Sequence, residues 1–229
     1  MKYTTVLLDF DDTLIDTQGY ATTCLHTLYS KHQLNQYFAT ETEFTDIYHK
    51  HVGKLWEAYA LGKIDKQTLL GTRFDKTFEH IPSITKDFLA DLSKDFMQLS
   101  IQNDVHIDGA KEVLEYLKGK YQIAMLSNGF SEMQYDKLDN AGFTLYFDDV
   151  ILSDVVGVNK PHPDIFNFAL NKLGVTAQQT IMIGDNYLAD IKGAMDSNID
   201  QIWYNPKNEK VETTPTYTIS SLYEIKGIL

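Results

Sequence analysis

The sequence predicts an α/β protein built on a doubly wound parallel sheet and interrupted once by an all-helical insertion. Three observations point there. Short apolar runs of strand length recur along the chain, helical patterns separate them, and residues 17–95 show helical periodicity with no strand among them.

Val6-Leu7-Leu8 is the first such run, wholly apolar as strands buried on both faces of a parallel sheet are. Ile123-Ala124-Met125-Leu126, Val150-Ile151-Leu152, Ile181-Met182-Ile183 and Ile202-Trp203-Tyr204 repeat the signature, giving five expected strands. Between them Ala110, Val113, Leu114 and Leu117 recur at i, i+3, i+4 and i+7, and Tyr187, Ile191, Ala194 and Asn198 do so with one polar exception. Pro163 suits the first turn of a further helix, with Ile165, Phe168, Ala169 and Leu173 expected to face inward. Strands alternating with helices imply right-handed crossovers and a Rossmann-like core, in which ligands bind at the carboxyl ends of the strands.

Within the insertion, Phe44, Ile47, Tyr48 and Leu55 form one helical stripe, and Phe88, Leu92, Phe96 and Leu99 another. Leu61-Gly62-Lys63-Ile64-Asp65 has the composition of a helix-to-helix turn, and Lys207 to Pro215 that of a polar loop. The expected division is a catalytic core of residues 1–16 and 96–229 with a helical cap of 17–95, entering where it would act as a lid over the strand ends.

Composition narrows the function. A formal net charge of -12, with Arg73 the sole arginine, argues against a partner with a nucleic-acid backbone, so any anionic ligand must be held by local charge. No apolar run reaches the roughly 18 residues of a membrane-spanning helix, and the N-terminal apolar stretch meets Asp9, Asp11 and Asp12 too early for an export signal. Cys24 is the only cysteine, which excludes an intrachain disulfide. These features fit a cytoplasmic protein.

Asp9-Phe10-Asp11-Asp12-Thr13-Leu14 sets two carboxylates two residues apart after the first strand. One carboxylate can attack phosphorus while its neighbour protonates the leaving oxygen and then activates water. By itself this reads as well as an acidic turn capping a helix. Ser127-Asn128-Gly129, a plain turn when taken alone, offers a hydroxyl and backbone N–H groups to phosphate oxygens. Lys160 precedes Pro161 and so sits on extended backbone, as a phosphate-binding ammonium or a solvated surface lysine. Gly184-Asp185-Asn186 with Asp190 brings further carboxylates to the same rim, and Asp9 and Asp185 suit magnesium, which takes one or two carboxylates and keeps water and phosphate as its other ligands. Four such features in order, each at a strand end, reinforce one another.

Together, Asp9-x-Asp11-x-Thr13, Ser127, Lys160 and Gly184-Asp185-x-x-x-x-Asp190 resemble the four motifs of the haloacid dehalogenase-like hydrolase superfamily, and the insertion resembles that family's helical cap. The resemblance implies a magnesium-dependent phosphomonoester hydrolase with an aspartyl-phosphate intermediate. Asp9 would be the nucleophile and Asp11 the general acid and base, with the Asp11 backbone carbonyl also on the metal. Ser127, Asn128 and Lys160 would hold phosphate, Asp185 would ligate magnesium, Thr13 would brace the first motif, and Asp190 would support the metal's ligands or orient Lys160. Ser127-Asn128-Gly129-Phe130, Lys160-Pro161, Ile165-Phe166, Asp190-Ile191 and Ser220-Ser221-Leu222 further resemble nucleotidases that act on pyrimidine nucleoside monophosphates. The expected substrate is thus a small phosphorylated metabolite, a nucleoside 5′-monophosphate by this resemblance. Sugar-phosphate phosphatase, phosphomutase, 2-haloacid dehalogenase and non-catalytic binding protein remain alternatives. Asp11 speaks against the dehalogenase, since a leaving halide needs no proton.

Other signals are weaker. Arg73, near Phe74, Trp56 and Tyr59, and Gln18 are candidate substrate contacts, although a surface arginine beside core aromatics is the plainer account of the former. His49 and His51, two apart on a helix, face different ways and do not form a metal pair.

Overall fold

The structure, a computed structural model, describes residues 2–229. The chain divides into two compact units, one running to Asp16 and resuming over Asp104–Leu229, the other formed by Thr17–Asn103.

The first unit carries six strands: β1 (Thr5–Leu8), β2 (Gln122–Ser127), β3 (Asp149–Leu152), β4 (Thr180–Gly184), β5 (Asp200–Tyr204) and β6 (Tyr217–Ile219). All pairings are parallel, in the order β3-β2-β1-β4-β5-β6. Leu8 is level with Met125 on one side and Ile183 on the other, so the chain leaves β1 between the ends of β2 and β4. This is where the strand order reverses, the place at which open α/β sheets bind ligands.

Alternation along β1 explains its apolar sequence. Val6 and Leu8 join Ile123, Met125, Ile181 and Ile183 in a core completed by Ala110, Val113, Leu114 and Leu117. Leu7 points the other way, into Ala124, Leu126, Met182, Ile165, Phe166 and Ala169. Every β1 side chain is therefore buried, and each apolar one contributes roughly 1.5–3 kcal/mol relative to exposure.

Four features depart from the sequence expectations. The strand β6 went unseen because Tyr217-Thr218-Ile219 is short and two of its three residues are exposed, as at a sheet edge. In the helix Pro163–Leu173 the fully buried ring is Phe166, whereas Phe168 is 42% exposed. Both choices satisfy helical periodicity, and the neighbouring Gly193 decides between them, since a Cβ there would lie 2.6 Å from the Phe166 ring. The segment expected as one helix through Asn198 is a π-helical turn, Tyr187–Lys192, followed by the short helix Gly193–Asp196, and Asn198 lies beyond it with φ +57°. Lastly, the helix Lys86–Ser100 runs unbroken across the boundary expected at residue 96, so the second unit extends to Asn103.

That second unit contains the helices α1 (Thr17–Lys31), α2 (Glu41–Ala60), α3 (Lys66–Thr72), α4 (Asp75–Phe78) and α5 (Lys86–Ser100). Their starts are written in the sequence, because Thr40, Asp65 and Thr85 accept from the backbone N–H groups of Glu43, Thr68 and Phe88. The core of the unit is aromatic, with Phe44, Tyr48, Phe74, Phe78 and Phe96 buried together and the Phe44 and Phe74 rings stacked at 6.4 Å. Among the described residues no helix is long and apolar enough to cross a membrane.

Replacing Phe166 by Ala should lower stability by about 3–5 kcal/mol, while Phe168→Ala should stay within about 0.5 kcal/mol of wild type. Urea unfolding midpoints at unchanged slope measure both.

Candidate active site

Where β1 ends, the Asp9 N–H still bonds to the Ile183 carbonyl at 2.9 Å, holding Asp9 against β4. The chain then turns sharply. Asp12 takes φ +59°, a left-handed conformation that aspartate tolerates better than most residues, and its N–H reaches the Ile15 carbonyl at 2.8 Å. This turn brings the Thr13 hydroxyl back to 3.0 Å from Asp9 Oδ2 and 3.2 Å from Asp185 Oδ1, where it also accepts from the Asp185 N–H at 3.1 Å. Its single proton serves one carboxylate at a time. The turn, not strand alternation, also directs Asp11, whose carboxylate meets Gln134 and Lys137 of the helix Ser131–Asn140.

At the end of β2 the Ser127 hydroxyl is buried and accepts from the Gly129 N–H at 2.9 Å and from Gln134 Nε2 at 2.8 Å. With both lone pairs taken, its own O–H remains to be donated. The Asn128 side-chain amide is spent on Lys160: Nδ2 donates to the lysine carbonyl at 2.9 Å and Oδ1 accepts the lysine N–H at 2.8 Å. That two-point bond fixes the backbone from which the ammonium extends.

Lys160 is 2% exposed, so the reading as a solvated surface lysine is excluded. Its Nζ lies 2.7 Å from Asp9 Oδ1, 2.6 Å from Asp190 Oδ1 and 2.6 Å from the Leu126 carbonyl. The other Asp190 oxygen accepts the Asn186 N–H at 3.0 Å, so Asp190 holds both the lysine and the loop after β4. Gly184 is required here, since a Cβ at that position would stand 2.3 Å from Asp190 Oδ2. The same loop is tied to β5 by the Trp203 indole, which donates to the Asp185 carbonyl at 2.8 Å.

Asp9, Asp185 and Asp190 each bring one carboxylate oxygen within 4.8 Å of the others. Three carboxylates against one ammonium leave two negative charges in a buried site, the charge that one divalent cation offsets. Burial pushes the Asp9 carboxyl up to about 7, opposed by Lys160, and the nearby carboxylates push it the same way as burial. Asp185 is also held well above the usual carboxylate range, first by burial and then by Asp9 and Asp190. Ionising both carboxyls is therefore costly unless further positive charge enters the site. With the Asp190 oxygens already engaged, Asp9 and Asp185 are the side chains placed to hold a hard cation with oxygen ligands, so the donor set fits magnesium.

A sequence profile of haloacid dehalogenase-like hydrolases matches residues 3–197. The chain belongs to that family. Among its relatives, the HAD-hydrolase YfnB of Bacillus subtilis is 29% identical over the whole chain and 96% of its own length. The pyrimidine 5′-nucleotidase PynA of Streptococcus pneumoniae is 30% identical over the whole chain and 96% of its length, and the pyrimidine 5′-nucleotidase YjjG of Escherichia coli 28% over the whole chain and 99% of its length. The crystal structure of YfnB bound to magnesium superposes with a TM-score of 0.89, covering 100% of this chain and 99% of that one at 28% identity. An L-2-haloacid dehalogenase of Xanthobacter autotrophicus, at 21% identity and a TM-score of 0.75 over 99% and 98% of the two chains, shares the fold.

The remaining candidates of this hydrolase lie in the helical unit. Gln18 is exposed on α1. Arg73 is not a surface residue: it is 4% exposed, its guanidinium lies 5.2 Å from the Phe96 ring centroid, and burial lowers its pKa. Gln134, Lys137 and Trp203 were missed, the first two because polar residues at i and i+3 on a helix read as a solvated face.

Because the Asp9 and Asp185 carboxyls are raised above the ordinary aspartate value of 3.8, metal-free stability should be greatest below that value, where the unfolded chain holds these protons too. It should decline as pH rises through about 7. Magnesium at a fixed concentration a hundredfold above its Kd at pH 8 should raise Tm there on the order of 5–10 °C, and less at pH 6, where binding must displace protons. Differential scanning fluorimetry reads this, and Asp185→Asn should abolish the shift.

Proposed function

We propose that this hydrolase is a magnesium-dependent phosphomonoesterase working through an aspartyl-phosphate on Asp9, with a nucleoside 5′-monophosphate as substrate. The observation that carries the reading is the position of Lys160. Its buried ammonium rests against the Asp9 carboxylate, and at the end of the adjacent strand the Ser127 hydroxyl keeps its own proton to donate, so a phosphoryl group on Asp9 would meet positive charge and a donor.

Bound magnesium would add charge to offset the phosphoryl oxygens and would hold Asp9 and Asp185 ionised. In the chemistry of the chain itself, an Asp9 oxygen attacks phosphorus as the ester bond breaks, and the departing oxygen takes a proton from Asp11. Asp11 then removes a proton from water as that water attacks the aspartyl-phosphate and releases Asp9. Asp190 and Asn128 keep Lys160 in place throughout. Phosphoryl transfer, more than carbon–halogen displacement, gives a carboxyl group at Asp11 something to do. Nucleotide preference is supported by two full-length relatives named as pyrimidine 5′-nucleotidases.

Phosphate release from a panel of pyrimidine and purine 5′-monophosphates, sugar phosphates and phosphoserine should depend on magnesium, stop with chelator and be fastest with a pyrimidine nucleotide. Asp9→Asn should lower kcat at least about 10³-fold with the fold retained by circular dichroism. Release from no member of the panel, or halide release from a 2-haloacid, would show the reading to be wrong. Faster turnover of a sugar phosphate would overturn the nucleotide preference alone.

A further inference from the structure

We propose that Gln134 and Lys137 are positioning residues that aim the Asp11 carboxyl at the reacting group, an assignment that rests on the phosphatase reading above. Both lie on the helix Ser131–Asn140, which follows β2 within the same unit as the site. They are 1% and 6% exposed, although helix surface positions of this kind ordinarily face water. A buried lysine is retained only where a partner offsets its desolvation. Here the partner is Asp11: Lys137 Nζ pairs with Oδ1, and the ammonium also lies 5.9 Å from the centroid of the Phe10 ring.

Gln134 takes the other oxygen. Its Nε2 donates to Asp11 Oδ2 at 2.7 Å and to Ser127 Oγ at 2.8 Å, spending one amide proton on each. One side chain thereby ties the proton-transferring carboxyl to the phosphate-binding hydroxyl and fixes the distance between them. Gly129 leaves room for this bridge, since a Cβ there would lie 2.1 Å from Nε2. A carboxylate offers about four acceptor positions, and the two contacts from the helix side take one on each oxygen of Asp11.

The consequence falls on leaving-group chemistry. When Asp9 bonds to phosphorus, the ester oxygen leaves with the electron pair of the broken bond. A nucleoside alkoxide must gain the proton of Asp11, whereas p-nitrophenolate departs without one. In the second half, water bonds to phosphorus, the Asp9–phosphorus bond breaks and Asp11 regains a proton from that water. Misaiming Asp11 therefore slows the first half for the alcohol and spares the phenol.

The test compares kcat/KM, which reports the chemistry up to covalent transfer, for a nucleoside 5′-monophosphate and p-nitrophenyl phosphate. It uses the magnesium-loaded wild type, Lys137→Met, Gln134→Leu and Lys137→Arg. The ratio of the two values cancels any loss of folded enzyme, and Gln134→Leu stands if Lys137→Met does not fold. The nucleotide-to-nitrophenyl ratio should fall at least about tenfold in Lys137→Met and Gln134→Leu, and return to within about threefold of wild type in Lys137→Arg. A ratio within about twofold of wild type in the folded variants overturns the assignment. Wild type releasing phosphate from neither substrate overturns the phosphatase reading itself.

Discussion

The Lys160 ammonium, sealed from water between Asp9, Asp190 and the Leu126 carbonyl, is the contact on which the rest of the site depends. An unpaired charge at that depth would be costly, so the lysine must be surrounded by acceptors, and the acceptors must converge from three separate strand ends. Their convergence in turn overshoots. One cation cannot balance three carboxylates, and burial first, then the neighbouring carboxylates, raises the Asp9 and Asp185 pKa values. A site of this kind is prepared for additional positive charge.

The fold supplies the convergence through sheet order. The central strand β1 pairs with β2 and β4, so residues after Leu8, Met125 and Ile183 emerge side by side, although the first lies more than a hundred residues from either of the others in the chain. Close approach then needs missing side chains, and Gly129 and Gly184 provide it where Gln134 and Asp190 must come near the backbone. A methyl group at either position would push away a side chain that touches the site.

Related proteins with this fold include both nucleotidases and haloacid dehalogenases, so architecture alone does not choose the reaction. Under the proposed function, the choice is made by what surrounds Asp9. Asp11, held by a buried glutamine and a buried lysine, is under that reading the group that passes a proton to and from oxygen. Displacement of halide would leave such a carboxyl without a task.

By itself the sequence determined the strands of the doubly wound sheet other than β6, because strands buried on both faces must be apolar throughout. It also determined the order in which the acidic, hydroxyl and lysine motifs appear. It did not reveal β6, whose short polar run is paired only by the edge of β5, nor the choice of Phe166 over Phe168, which both satisfy the same helical period. Nor did it assign Asn128 to the Lys160 backbone or bring Gln134 and Lys137 to Asp11. Those outcomes belong to tertiary structure for one physical reason. Periodicity and local propensity record which face of an element avoids water, whereas the partner of a buried polar group is set by another part of the chain, brought near only when the sheet has formed.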